Sequence, residues 1–567
     1  MKAGKLRGAL CAVCCLAAGA CDGFNQPIKS IIDYQLSLVP VDSAGALEAA
    51  VEGAADGAVI ALMDNVTLDR SVAVRGKTVT VTAWETSTAL NRAAGFDGPF
   101  FTVGSGGGLV LGSPESGPLA LDGGGRRGLE AESALVRVER GGALVLNASA
   151  ELRNNANANA LEDSSAAGGA LYVEGSCVVR GASVRGNSSA FGGGGVVVNG
   201  GALVMESGVV EGNGAPHGGG VAVTSNGAGA GSFTLAGGAV RGNHSVNGGG
   251  VFVYVGAVFT MEGGEIAGNA ALDDDGDLEY PQNCAGGGVC VFGGEFILVN
   301  GAITGNEANG GGGVFVKEDD LFYNIRGRFT MKNGRIGGNR ALQLANADEE
   351  YVGGYGGGVE VYLADFIMEN GEISGNTAEG VGGVYAATDS VFTMRNGRIS
   401  GNHSAASAGG VYVQNEAVFT MEDGEISGNS AGTTAGGVYV QNEAVFTMEN
   451  GRIGGNTAVQ PYGNGMYINY ENATEYGTFR ISGAARVAET DDVFLRATAN
   501  LTGAVITLAG TFTDSPSTVA AIRLATPVAA SRPVLRETSA GLIAEYRGRF
   551  TLLNAGGRTI GAGGVLE

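Results

Sequence analysis

The chain has 567 residues, 44% of them apolar, with 103 glycines and a formal charge of −23 from 57 acidic against 34 basic side chains. Such a balance repels nucleic acid and anionic membranes, so no nucleic-acid partner is expected; it favours cations or basic partners, or simply keeps the chain soluble. Glycine recurs at fixed places beside apolar residues instead of forming linkers, which points to repetition and not to disorder.

Lys2, Lys5 and Arg7 precede an uncharged apolar stretch from Gly8 to Leu16 and the small-residue run Ala17-Ala18-Gly19-Ala20 before Cys21. Residues 1–20 read as a signal peptide, and no later stretch approaches the roughly 20 apolar residues that a membrane-spanning helix needs. Ala18-Gly19-Ala20-Cys21 resembles the bacterial lipobox, with Ala18 where that motif usually has Leu, Val or Ile. The resemblance implies cleavage before Cys21, acylation of its sulfur and new amino group, and a membrane anchor there, with residues 21–43 as the tethered linker. Ordinary secretion with cleavage near Ala20 is the alternative. Loss of Lys2, Lys5 and Arg7 takes the formal charge from −23 to −26. Beyond Cys21 only Cys177, Cys284 and Cys290 remain, too few and too odd a number for a disulfide framework.

Residues 44–167 read as an N-terminal cap followed by the first coils of a solenoid. Ala44 to Ala54 is expected to be a short helix with Ser43 as N-cap, and Gly57–Leu62 and Lys77–Thr82 are expected strands. A helix there would cover the open first coil. This helix-then-strands opening resembles the start of pectate-lyase-like β-helices.

Residues 168–468 carry ten repeats marked by a Gly-Asn pair, whose asparagines are Asn187, Asn213, Asn243, Asn269, Asn306, Asn339, Asn376, Asn402, Asn429 and Asn456. Ten residues before the last eight markers stands Phe, from Phe233 to Phe446, with Cys177 and Leu203 in the first two. Three before every marker stands Val or Ile. Val438-Tyr439-Val440, Val445-Phe446-Thr447-Met448 and Arg452-Ile453 each alternate apolar with polar, the period of a strand with one buried face. Three such strands per repeat make one coil, so the expected fold is all-β: a single-stranded right-handed parallel β-helix in which like residues stack. Gly and Asn tolerate the left-handed conformation of a tight corner, and stacked asparagine amides can bond along a ladder. Most vertical neighbours in two outward columns are of opposite sign, in Arg335, Glu372, Arg398, Glu425 and Arg452 and in Lys332, Glu369, Arg395, Glu422 and Glu449, which favours in-register stacking.

Gly-Gly-Val-Tyr-Val with Phe-Thr-Met-Glu-Asn-Gly resembles the right-handed β-helix repeats of bacterial surface lipoproteins, and is similar to those of the polymorphic outer-membrane proteins. It departs from the latter in having Gly-Gly-Val in most copies and one more residue between Phe446 and Asn450. That family ends in a membrane barrel, whose recurring alternating spans are not matched after Tyr470. Residues 469–567 instead read as degenerate coils and a C-terminal cap.

Two insertions of equal length, from Asn269 to Val289 and from Asn339 to Val359, leave the same corner two coils apart. Asp273, Asp275 and Asp277 in one and Asp348, Glu349 and Glu350 in the other are hard oxygen ligands that could hold calcium; a solvated acidic loop is the simpler alternative. No other cofactor is expected.

The outward position between the two valines of the first strand carries Tyr385, Tyr412, Tyr439 and Tyr467 on four successive coils, with Gln414-Asn415 and Gln441-Asn442 beside them. An exposed stripe of aromatic faces next to Gln414 and Gln441 suits sugar rings or an extended peptide; mutual stacking that stabilises the solenoid is the competing role. Resemblance to the polygalacturonases would require Asn-Thr-Asp, Asp-Asp, His-Gly and Arg-x-Lys in chain order, but His217-Gly218 follows Arg75-Gly76-Lys77 and Asn-Thr-Asp is absent. His217, His244 and His403 sit in or beside marker turns without a shared column and read as turn residues. The expected function is a non-catalytic cell-envelope lipoprotein, lipid-anchored at the outer membrane or cell surface, that presents a β-helix for adhesion or for partner or glycan binding. The alternatives are a passive structural component of the envelope and a polysaccharide lyase or glycoside hydrolase on the same scaffold.

Overall fold

The computed structural model describes residues 38–567 apart from 85, 126–129, 159–167, 273–284, 320–323, 346–350, 460–462, 470–476, 489, 497–504, 514–517, 526–531 and 555–556. About 14 coils stack in parallel as a right-handed β-helix, the hand that a right-twisted strand imposes on its crossover. One coil shows the rule. Val445–Met448 buries Phe446 and Met448 completely while Val445 and Thr447 face outward. Its partners one coil away are the same residue types, Phe446 on Phe419 and Met448 on Met421, without a register shift. A one-residue slip would turn each core ring to solvent, so the alternation itself fixes the register.

Nine of the ten marked coils have a fourth strand that the alternation did not reveal: Thr457–Ala458, just after the marker, pairs with Ser430–Ala431. Two residues are too few to show a period.

The interior is built of columns. Phenylalanines from Phe233 to Phe479 stack with ring centroids 4.5 to 5.3 Å apart, and one apolar core runs from Val41 to Leu566. At about 1.5–3 kcal/mol per buried large side chain, this column is a main source of stability.

The marker corner holds the coils together through a buried amide ladder. Asn429 Oδ1 accepts from the backbone N–H and the Nδ2 of Asn402, at 3.0 and 2.9 Å. Its own Nδ2 donates to Asn456 Oδ1 and to the Ile399 carbonyl, both at 3.0 Å. The same pattern runs from Asn187 to Asn456, every amide buried. Of the Gly-Asn pair, the glycine alone is left-handed, as at Gly428 with φ +65° and Gly455 with φ +72°; the asparagine is there for its amide. The ladder ends on Asp491, whose carboxylate accepts from Gly455 N, Asn456 N and Asn456 Nδ2 at 2.9, 3.0 and 3.0 Å. A group with only acceptors suits that end, because the backbone N–H of each asparagine and one N–H of its amide point toward it.

Helix α1, Ala44–Gly53, covers the first coil with Leu47 and Val51 buried, and Ser43 Oγ accepts from Ala46 N. Strands Ala58–Leu62 and Thr78–Ala83 follow as expected. At the other end, strands Asp492–Leu495, Ile506–Phe512, Ala520–Leu524, Leu535–Glu537 and Phe550–Leu552 continue the coils. A second short helix, α2 (Leu542–Tyr546), buries Leu542, Ile543 and Tyr546 there.

Both insertions leave from the fourth strand, after Ala270–Ala271 and after Arg340–Ala341, which are two rungs apart across Glu307–Ala308. Asp273, Asp275, Asp277, Asp348, Glu349 and Glu350 lie outside the described residues, as do Cys21 and residues 1–37. The outward charges meet as the columns require: Arg398 and Arg452 both reach Glu425, at 3.3 and 3.0 Å. With these side chains 28 to 53% exposed, each pair contributes a few tenths of a kcal/mol, roughly.

Candidate functional site

The tyrosine column forms where alternation puts it. In Val438–Val440 the two valines are buried in the core and Tyr439 points out of it. Tyr385, Tyr412, Tyr439 and Tyr467 are successive partners along the axis, followed by Phe494, which the sequence reading missed because no marker precedes it.

The column is not exposed, which corrects the expectation of a solvent-facing stripe. The four rings are only 7, 6, 9 and 5% exposed. The corner leading into each first strand folds back beside them, so that Val381, Ala408 and Ala435, themselves bridged in a ladder, pack against the rings. The rings also cover each other: Tyr412 and Tyr439 stack at 4.5 Å and 5°, Tyr385 lies 5.5 Å from Tyr412, and Tyr467 lies 5.1 Å from Phe494. An aromatic platform needs a free face, and these faces are spent on stacking.

Beside the rings runs a row of hydroxyls and amides, of which Gln414 and Gln441 are half-buried. Tyr439 donates its hydroxyl to Gln441 Oε1 at 2.7 Å, Gln441 Nε2 donates to Gln414 Oε1 at 3.1 Å, and Gln414 Nε2 donates to the Tyr385 hydroxyl. Asn469 Nδ2 extends the row to Gln441 Oε1 at 3.1 Å, one coil further than the sequence reading placed it, but Asn469 itself is buried. A second short row joins Asn442 Nδ2 to Asn415 Oδ1 at 3.0 Å. Asn415 and Asn442 have φ near +53° and +52°, and Glu416 and Glu443 follow at +66° and +62°. Left-handed backbone is disfavoured for residues with a side chain, so the amide row compensates strain at this turn. Gln414, Gln441, Asn415 and Asn442 are half-buried, and Glu416 and Glu443 are exposed.

The remaining candidates stand apart. His217 is half-buried against Phe252, with ring centroids 5.2 Å apart, and burial lowers its pKa below the ordinary value. His244 and His403 are exposed, and His403 Nδ1 meets Ser430 Oγ at 2.9 Å. Contrary to the sequence reading, these two share a column as first residues of the fourth strand, five rungs apart. At about 4.8 Å per rung they are too distant to act together. Among the described residues, no group of three His, Cys, Asp or Glu side chains is gathered as a metal ion would require. No family model, curated protein or solved structure matches the chain.

Proposed function

We propose that the chain is a cell-envelope lipoprotein, anchored through Cys21 at the outer membrane or cell surface, which presents its β-helix for adhesion or for partner or glycan binding without catalysis. The observation that carries this reading is the repetition of one chemical group along the axis: half-buried amides at Gln414 and Gln441, and again at Asn415 and Asn442, one per coil. Identical hydrogen-bonding groups about 4.8 Å apart match an extended polymer whose own groups repeat, and many weak contacts add up through effective concentration. The resemblance to β-helix repeats of bacterial surface lipoproteins supports the same reading. The binding groups are then the amide rim and not the ring faces.

Burial of the tyrosine faces favours a second reading, a passive structural component whose columns serve only stability. Arrays of glycans and host-matrix proteins separate the two. Binding by the wild type that falls at least tenfold in the Gln414→Ala/Gln441→Ala variant, with melting unchanged, supports the first; binding that the variant leaves intact refutes it.

A further inference from the structure

The outward column is broken at one rung. Between Phe315 and Tyr385, and partnered with both, stands Glu360. The residue is half-buried, yet its carboxyl oxygen Oε2 is closed off from solvent and has no hydrogen-bond partner. The carboxyl is wedged under the corner of the preceding coil, so closely that a Cβ on Gly310 would stand 2.5 Å from Oε2. The next three residues seat the corner of Glu360's own coil. Gly311, Gly312 and Gly313 donate their N–H groups to the carbonyls of Tyr355, Gly356 and Gly357 at 3.1, 3.0 and 3.1 Å. Tyr355, 37% exposed, lays its ring on Tyr385 with centroids 4.8 Å apart.

Among the described residues, few titratable or charged groups surround this carboxyl. The preceding strand Val314–Lys317 brings Lys317, whose ammonium lies 5.9 Å from the ring centres of Phe292 and Tyr362. The strand of Glu360 itself brings Tyr362, the following strand brings Tyr385, and the corners bring Tyr355 and, packed against Gly354, Glu379. Burial pushes the Glu360 carboxyl up to about 8, opposed only by a backbone hydrogen bond from Gly311. That N–H is the one already given to the Tyr355 carbonyl.

We propose that Glu360 is a pH-responsive latch for the corner 353–357. Protonated, it leaves the Gly311 N–H to Tyr355 and the corner stays seated over Tyr385. Ionised, the carboxylate draws that N–H to itself, the corner lifts, and the near end of the tyrosine column is uncovered. The closed corner holds a proton more tightly than the open one, so closure is favoured at low pH and weakens as pH rises from the ordinary carboxyl value of 4.5 toward about 8. Across that window the opening equilibrium climbs by up to about tenfold per pH unit, then levels off.

The inference needs no ligand, so it stands apart from the binding reading. Hydrogen–deuterium exchange of the full chain between pH 5 and 9, corrected for the intrinsic rate, tests it through peptides covering 353–360 and the distant reference 438–448. The expected result is a pH-dependent loss of protection at 353–360 alone, abolished in Glu360→Gln. Absence of that slope in the wild type overturns the proposal without any variant. The same slope in a Glu360→Gln protein whose reference peptide stays protected overturns it as well.

Discussion

Replacing Asn429 by Ala cuts the amide ladder at its middle. The substitution deletes the acceptor of the Asn402 backbone N–H and Nδ2, and the donor to Asn456 Oδ1 and the Ile399 carbonyl. Only the Asn402 N–H loses its sole partner. Its Nδ2 keeps the Ile373 carbonyl, and Asn456 Oδ1 keeps the Asn429 N–H. One orphaned buried donor costs about 1–3 kcal/mol and each weakened bond roughly 0.5–1, so the total is about 3–5 kcal/mol. Coils of a solenoid unfold by neighbours and not all at once, so the readout is local. Amide protection at 411–421 and 438–448 should fall at least about a hundredfold, since about 1.4 kcal/mol is tenfold. Asn429→Asp should also destabilise, because it sets an acceptor against Asn456 Oδ1. A loss below about fivefold in Asn429→Ala would refute the ladder as the joint between coils.

Four further outcomes are expected. Tyr412→Ser with Tyr439→Ser should lower the melting temperature clearly, since truncating a buried aromatic costs about 3–5 kcal/mol; an unchanged melt would contradict the stacked, covered column. Glu360→Gln should equal the wild type near pH 4.5 and exceed it increasingly up to about pH 8, by at most a few kcal/mol, because the raised acid stabilises the fold below its unfolded value and loses that contribution as pH rises; equal urea midpoints at pH 8 would contradict this. Gly428→Ala, at φ +65° with no atom nearer than 3.9 Å to the added Cβ, should cost only the backbone strain of about 1–2 kcal/mol. Gly437→Ala, whose Cβ would stand 2.3 Å from the Gly465 carbonyl, should cost more, and the reverse order in urea titrations would be fatal to that reasoning. Mass spectrometry of the mature protein should find an acylated Cys21 at the N-terminus, and an unmodified Cys21 or Asp22 there would exclude the anchor.

The sequence made the repeating parts legible because each column repeats the same physical demand. Phe446, Ile453 and Asn456 recur at fixed offsets since a slip would expose a ring or orphan an amide. Features that occur once were hidden. Asp491 ends the ladder without a Gly-Asn pair to announce it, and helix α2 has no repeat to compare with. The tyrosines expose a different limit: alternation tells which way Tyr412 leaves the strand, but whether it meets water depends on the corner carrying Ala408 and Ala435, whose path no period encodes. Glu360 looked like an exception in a tyrosine column, and only the position of Gly310 shows that its carboxyl is confined.

Every column, from the phenylalanine stack to the amide rim, rests on neighbouring coils being parallel and in register. Paired cysteines test this directly, because a disulfide needs Cα atoms about 4.4–6.8 Å apart. Arg398 and Glu425 are register partners, whereas Glu422 directly follows Met421, the partner of Met394. Mild oxidation should close a disulfide in Arg398→Cys/Glu425→Cys and leave Arg398→Cys/Glu422→Cys reduced; closure of the second pair in preference to the first would contradict the in-register stacking of the coils.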